Sequence, residues 1–197
     1  MRSRIERLDH RIILGLIEQG ATVLDLGCGD GSLLKLLAQG KGVMGQGIEL
    51  DDQEIFRCVE KGVFALHGDL DSGLEQYKDK SFDYVILNQS IQQVRNVEAV
   101  ISDALRVGKK VIVGVPNFAN YRARLQLFFG GRAPVTKTLP YRWFETPNIR
   151  SFSLKDFERF CADRGIAIEK AHYLRGLTRV LLMPNLFAES GIFLIKR

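Results

Sequence analysis

Val23-Leu24-Asp25-Leu26-Gly27-Cys28-Gly29-Asp30-Gly31 is an apolar run that breaks into three glycines within five positions. Residues 21–26 read as a strand, and residues 32–39, with apolar side chains at helical spacing, read as the helix that follows. A glycine motif carries chemical meaning when it joins a strand to a helix in this way. The missing Cβ atoms admit positive φ and let a ligand approach the main chain, and free N–H groups at the helix start favour electron-rich ligand groups.

Outward from this turn, apolar runs at 43–50, 63–67, 82–88 and 110–115 alternate with helix-like stretches at 53–61, 72–77 and 97–107. Such alternation predicts a parallel sheet with helices on both faces, joined by right-handed crossovers. Upstream, Ile5, Leu8, Ile12 and Leu16 predict an amphipathic helix over 2–19, ended by Gly20. After the fifth strand Pro134, Pro140 and Pro147 interrupt the pattern, and only 120–129 supports a helix. Ser153 with Asp156 three residues on predicts a capping-box variant opening a helix to about Asp163, stopped at Gly165. Strands at 166–174 and 191–196 follow, joined by a loop containing Pro184 and Asn185. The expectation is an α/β chain: a single domain over 1–197 with a Rossmann-like, seven-stranded, mostly parallel, doubly wound sheet, and an insert or lid at about 117–150.

Glu49 ends the second strand eighteen residues after Gly31, where a carboxylate can accept hydrogen bonds from both hydroxyls of a ribose. Asp69, followed by Leu70, ends the third strand, where an adenine amino group could donate to it, and Asn88 closes the fourth. The expected pocket is Asp25, Gly27, Cys28, Gly29, Gly31, Glu49, Leu50, Asp69, Leu70 and Asn88; Asp51 and Asp52 read as the N-cap region of the next helix. The pattern is DxGxGxG rather than the dinucleotide GxGxxG, with Ser32 in the place of the last glycine. An acid two residues before the first glycine suits an ammonium-bearing ligand better than a pyrophosphate. S-adenosylmethionine or S-adenosylhomocysteine is therefore expected, and the class I methyltransferase fold with it.

Composition excludes several classes. A hydrophobic fraction of 46% with 26% charged residues is that of an ordinary globular protein. No apolar run is long enough for a signal peptide or a membrane span, which predicts a soluble cytoplasmic protein. Cys28, Cys58 and Cys161 are odd in number and widely spaced, so they read as buried thiols rather than a disulfide or zinc framework. His10, His67 and His172 are scattered, and no metal site is expected; of the three, only His67 ends a strand near the crevice. No HxxxH, CxxC, GxSxG or Walker pattern occurs. Asn88-Gln89-Ser90-Ile91 is not the Asn/Asp-Pro-Pro-Tyr/Phe signature of amino-group methylases, which disfavours nucleic-acid amino groups as acceptors. Methyl transfer can proceed by orientation alone, so no catalytic side chain is assigned.

Between Asn117 and Arg150 six basic residues face one acid, Glu145, so this stretch carries the whole net charge of +5. It also holds seven of the 18 aromatic residues. Three readings stand beside each other: a lid with solvated arginines, a docking face for an acidic protein partner, or an RNA surface. The residues that would carry a partner or substrate face are Tyr121, Arg122, Arg124, Arg132, Tyr141, Arg142 and Trp143. Self-association is left undecided.

DLGCGDGSLLKLL, GIELD (47–51), HGDLDSGL (67–74), SFDYVILNQSIQQVRN (81–96), VPNFANYRARLQL, RAPVTKTLPYRWFETPNIR (132–150) and SLKDFERFC together resemble the methionine biosynthesis protein MetW family over nearly the whole chain. The first segments are common to class I methyltransferases; those after Asn88 point to MetW. The resemblance implies a bacterial cytoplasmic protein that binds S-adenosylmethionine or S-adenosylhomocysteine and works with a homoserine O-acyltransferase of the MetX type, on the route from homoserine toward homocysteine. It implies no methyl acceptor. A small-molecule methyltransferase and an RNA-binding methyltransferase-like protein stay open, because a fold and a cofactor motif do not fix function.

Overall fold

A computed structural model describes residues 7–197; the expected helix residues before Arg7, Ile5 among them, lie outside the described residues. The strands are β1 (Thr22–Leu26), β2 (Met44–Glu49), β3 (Ala65–His67), β4 (Phe82–Asn88), β5 (Gly108–Pro116), β6 (Ala167–Arg175), β7 (Thr178–Arg179) and β8 (Ser190–Lys196). The α-helices are α1 (Leu8–Leu16), α2 (Ser32–Lys41), α3 (Asp52–Glu60), α4 (Val97–Val107), α5 (Tyr121–Gly130), α6 (Leu154–Asp163) and α7 (Pro184–Phe187).

All the strands form one sheet in the order β3-β2-β1-β4-β5-β8-β6-β7. The first five pair in parallel, while β8 runs antiparallel to both β5 and β6. The sheet is therefore doubly wound and mostly parallel, as expected, with eight strands among the described residues rather than seven. The extra one, β7, pairs only Thr178 and Arg179 with the end of β6; two residues are too short for any periodic signal. A second difference lies at 72–77, where a helix was expected. A single 3-10 turn at Leu70–Ser72 stands there instead, and Gly73, at φ 83, ends it.

Alternation along the strands separates two cores. Val23, Tyr84, Ile86, Ile112, Ile192 and Leu194 pack against Ile12 and Ile13 of α1 and Leu33, Leu34 and Leu37 of α2. Their neighbours Leu24, Leu26, Val85, Leu87, Val111, Val113 and Phe193 pack on the other face against Val100, Ile101 and Leu105 of α4 and Phe157 of α6. A strand buried on both faces must be apolar at every position. Hence β5 is buried from Val111 to Pro116 without a break.

Local chemistry fixes the ends. Asp51 caps α3 by accepting from Gln53 N–H, as its position predicted. At α6 the capping box forms in full: Ser153 accepts from the Asp156 N–H while the Asp156 carboxylate accepts from the Ser153 N–H. Asn120 caps α5 as Asp51 caps α3, accepting from Arg122 N–H, but only Ala123 of this helix is buried and its larger apolar side chains are exposed along its length.

Candidate functional site

In an open α/β sheet a crevice opens at the carboxyl ends of the strands where the strand order reverses. Here that point lies between β1 and β4. Two adjoining cavities of about 520 and 450 Å3 occupy it and share Gly27, Gly29 and Gln89.

The glycine turn is built against its neighbours. Gly27 has φ 79, and a Cβ there would lie 2.8 Å from the Cβ of Ser90. Its N–H and that of Cys28 both donate to the Ile48 carbonyl, at 2.8 and 3.1 Å. Glu49, at the end of β2, ties the turn down: Oε2 accepts from Gly29 N–H at 2.8 Å, and Oε1 accepts from Leu50 and Asp51 N–H at 2.8 and 3.1 Å. A carboxylate offers about four acceptor positions, so this one is held in place with capacity left for a ligand hydroxyl. On the far side Lys61 pairs with Asp30 and donates to Ser32 Oγ at 2.8 Å. Burial opposes ionisation of Asp30, but the hydrogen bonds from Lys61 and Ser32 outweigh it and hold the carboxyl down at about 2.

The two ends of the crevice differ in chemistry. One is lined by Asp25, Cys28, Asn88 and, from α1 and the residue before it, His10 and Arg7, together with Glu54 and Arg57 of α3. Asp25 is 2% exposed, and its Oδ1 has no hydrogen-bond partner among the described residues. Burial, reinforced by the Glu49 carboxylate, pushes its carboxyl up to about 8. Asn88 donates to Asp9 at 3.1 Å while its own Oδ1 is buried and without a partner among the described residues. The other end is lined by Ile48, Glu49, Leu50, Asp69, Leu70 and Val94. Asp69 also caps its own turn, accepting from Asp71 N–H at 2.9 Å.

Of the ten expected pocket residues the crevice brings together nine. Gly31 is not among its lining residues; it packs beneath the turn, where a Cβ would meet Cys58 Sγ at 2.9 Å. The Cys28 thiol lies 4.0 Å from that of Cys58, and burial raises the pKa of both.

Sequence reasoning passed over Gln89, which takes φ 64 and lines both cavities. A left-handed conformation is uncommon for a residue with a Cβ and marks a position held by its surroundings. It also passed over Ser90, Arg57 and Pro147, and it favoured His67 over His10. His67 is exposed near Asp52, whereas His10 lines the crevice and burial lowers its pKa. No spacing rule places α1 over the end of β4, so nothing in the sequence marked His10.

The stretch 117–150 touches the crevice only through Pro147. Its end is anchored to the turn after β4, where Ile149 and Arg150 N–H donate to the Gln92 carbonyl at 3.1 and 3.2 Å. Of the expected partner face, Tyr121, Arg122 and Arg124 are engaged internally. Arg122 pairs with Glu189 at 3.3 Å, Arg124 donates to the Ala119 carbonyl at 2.6 Å, and the Tyr121 hydroxyl accepts from Arg175 at 3.2 Å. Arg132, Tyr141, Arg142 and Trp143 are exposed.

A family model described as "Methionine biosynthesis protein MetW" matches residues 7–195. Among curated relatives, the bifunctional methionine biosynthesis protein MetXA/MetW of Rhodopirellula baltica is 32% identical over 172 residues, 83% of this chain and 28% of the relative. Phosphoethanolamine N-methyltransferase 2 of Caenorhabditis elegans is 32% identical over 111 residues, 50% of this chain and 24% of the relative. The chain thus spans about a quarter of the length of each. Among solved structures, a SAM-dependent methyltransferase from Archaeoglobus fulgidus superposes with a TM-score of 0.72 at 15% identity, over 96% of this chain and 91% of the other. That likeness concerns the fold, which is the one these methyltransferases share.

Proposed function

The chain belongs to the methionine biosynthesis protein MetW family, and on that premise we propose that it binds S-adenosylmethionine or S-adenosylhomocysteine in the crevice and acts with a homoserine O-acyltransferase of the MetX type. The observation that carries the reading is the pair of carboxyl groups at the ends of β1 and β2. Glu49 is fixed with acceptor capacity toward a ribose, and Asp25 is buried with an oxygen lacking a partner among the described residues. An α-ammonium group would ionise Asp25 and satisfy that oxygen, which a pyrophosphate would not. Asp69 would accept from an adenine amino group, with Leu50, Leu70 and Val94 as apolar walls. When bound, the cofactor would supply an electrophilic methyl group; the chain's own contribution is to orient it at the Asn88 end and seal its nucleoside.

The acyltransferase partnership is supported by the fused relative, whose name joins MetXA and MetW in one chain. On this reading the protein works in the cytoplasm. A second reading, methylation of a small molecule, is favoured by the N-methyltransferase relative and by the polar space beside Asp25, where Arg7, His10, Glu54 and Arg57 could bind an acceptor.

Calorimetric titration of both nucleosides into wild-type protein and Glu49→Ala tests the site. Loss of the carboxylate removes ribose contacts and the tie to Gly29, so affinity should fall at least tenfold, about 1.4 kcal/mol. Equal binding by both proteins would reject the pocket. Co-elution with the homologous acyltransferase tests the partnership, and incorporation of labelled methyl groups from a metabolite extract tests the second reading.

A further inference from the structure

Resting on the acyltransferase reading, we infer that the partner docks on an apolar face built from the outer half of α5 and the segment before α7, rather than on the arginine cluster at the start of α5. Scattered exposed apolar residues are ordinary, but concentrated runs mark interaction sites. On α5, Phe128 and Phe129 are 81% and 77% exposed and stack edge-on at 4.9 Å, with Leu125 beside them half-exposed. Before α7, Leu181 and Leu182 are 88% and 80% exposed, and Met183 follows in a left-handed conformation at φ 46.

The two runs belong to one side of the fold. Asn120 donates to the Ala188 carbonyl at 3.0 Å, Arg122 pairs with Glu189, and the Tyr121 and Phe187 rings lie 6.1 Å apart. These contacts hold the base of α5 against the end of α7 and the residues after it, and Arg124 of α5 lines one cavity with Met183, which follows Leu181 and Leu182. They also occupy the arginines at that base, leaving aliphatic and aromatic side chains to protrude. Gln126 fastens the following loop to α5 through two bonds to the Val135 backbone, at 2.9 and 3.0 Å, so the outer turn is braced.

Charge selects the occupant. The stretch from Asn117 to Arg150 carries a net charge of +5, so two copies meeting through this face would set like charges together, which costs several kcal/mol. A nucleic acid is held through phosphates and stacked bases, and the aliphatic part of the face, Leu125, Leu181, Leu182 and Met183, would stay uncovered by it. The occupant that fits is a protein surface with an apolar groove and an acidic rim facing Arg132, Lys137 and Arg142. Aromatic anchors surrounded by such a rim are the usual form of an interface hot spot.

The test is sedimentation velocity and calorimetry with the homologous homoserine O-acyltransferase. It uses wild-type protein and the double variants Phe128→Ser/Phe129→Ser and Leu181→Ser/Leu182→Ser, with Phe64→Ser, an exposed residue next to β3, as control. Each double variant should weaken the complex at least tenfold at unchanged melting temperature and nucleoside affinity, and the control should bind like wild type. Wild-type affinity in both double variants overturns this surface and leaves the partnership standing. No complex with wild-type protein, cofactor present or absent, overturns the partnership itself. A wild-type dimer that the same substitutions dissolve, or binding to phosphatidylglycerol vesicles that they abolish while the complex persists, assigns the face to another occupant and overturns the inference.

Discussion

Asp25 carries a carboxyl group that the fold has sealed from water, with Oδ1 lacking a partner among the described residues. Its folded value of about 8 lies above the ordinary carboxyl value of about 4. Between these limits the folded protein keeps a proton that the unfolded chain releases. The stability this group contributes is therefore complete below about pH 4 and lost as the pH rises to about 8. Asp25→Asn removes that slope, so urea melts between about pH 5 and pH 8 should show the variant gaining on wild type as pH increases. A constant difference would mean that Asp25 ionises like a surface acid. The same proton governs binding: an ammonium-bearing nucleoside should bind more tightly as pH rises toward about 8 and release a proton below it, measured as a dependence of the calorimetric heat on buffer ionisation. The sequence marked Asp25 by its offset from Gly27, yet its burial depends on which helices cover the end of β1, and no local pattern encodes that. Gln89 escaped for a related reason, because a glutamine held at φ 64 looks like any other glutamine in a sequence.

At the scale of elements, the strand, turn and helix from Thr22 to Lys41 were legible because the periodicity changes sharply at the glycines. Two of those glycines make different demands. Gly29 has φ 51, and a Cβ added there would meet nothing within 4 Å, whereas at Gly27 the Cβ would strike Ser90. Gly29→Ala should cost about 1 kcal/mol, the left-handed penalty alone. Gly27→Ala should cost about 2 to 4 kcal/mol, adding overpacking to that penalty. Denaturant melts decide between this ranking and equal costs, which would mean that Ser90 yields freely. The α6 start was legible for the same local reason, since the Ser153 and Asp156 capping box is written within four residues. At 72–77 helical composition was overruled. Arg106 donates to the Leu74 and Tyr77 carbonyls at 2.9 and 2.8 Å, and Asp103 accepts from Leu74 N–H at 3.1 Å. Those bonds fix Leu74 and Tyr77 against α4, and Gly73 at φ 83 breaks the helical path at the second residue of the expected helix.

Across the whole molecule the stretch 117–150 meets the crevice at Pro147 and is tied to the turn beside it at the Gln92 carbonyl. Gln89, Ser90 and Gln93 line the crevice, while Gln92 between them accepts from the Ile149 and Arg150 amides. A nucleoside that steadies this turn should slow hydrogen exchange at those two amides, read by mass spectrometry with and without S-adenosylhomocysteine; unchanged exchange would mean that the stretch 117–150 does not sense the pocket. The sequence by itself determined the class of fold, the parallel half of the sheet, the glycine turn and the carboxylates at the strand ends. These depend on periodicity and on offsets of a few residues, which are local. Only the tertiary structure decided that β8 enters antiparallel between β5 and β6, that β7 extends the edge, and that α1 brings His10 to the crevice. It also decided that the exposed arginines at the base of α5 are paired within the chain while Phe128, Phe129, Leu181 and Leu182 are left exposed to solvent. Those outcomes depend on contacts between residues tens of positions apart, where burial and pairing are settled by what the remainder of the chain has already filled.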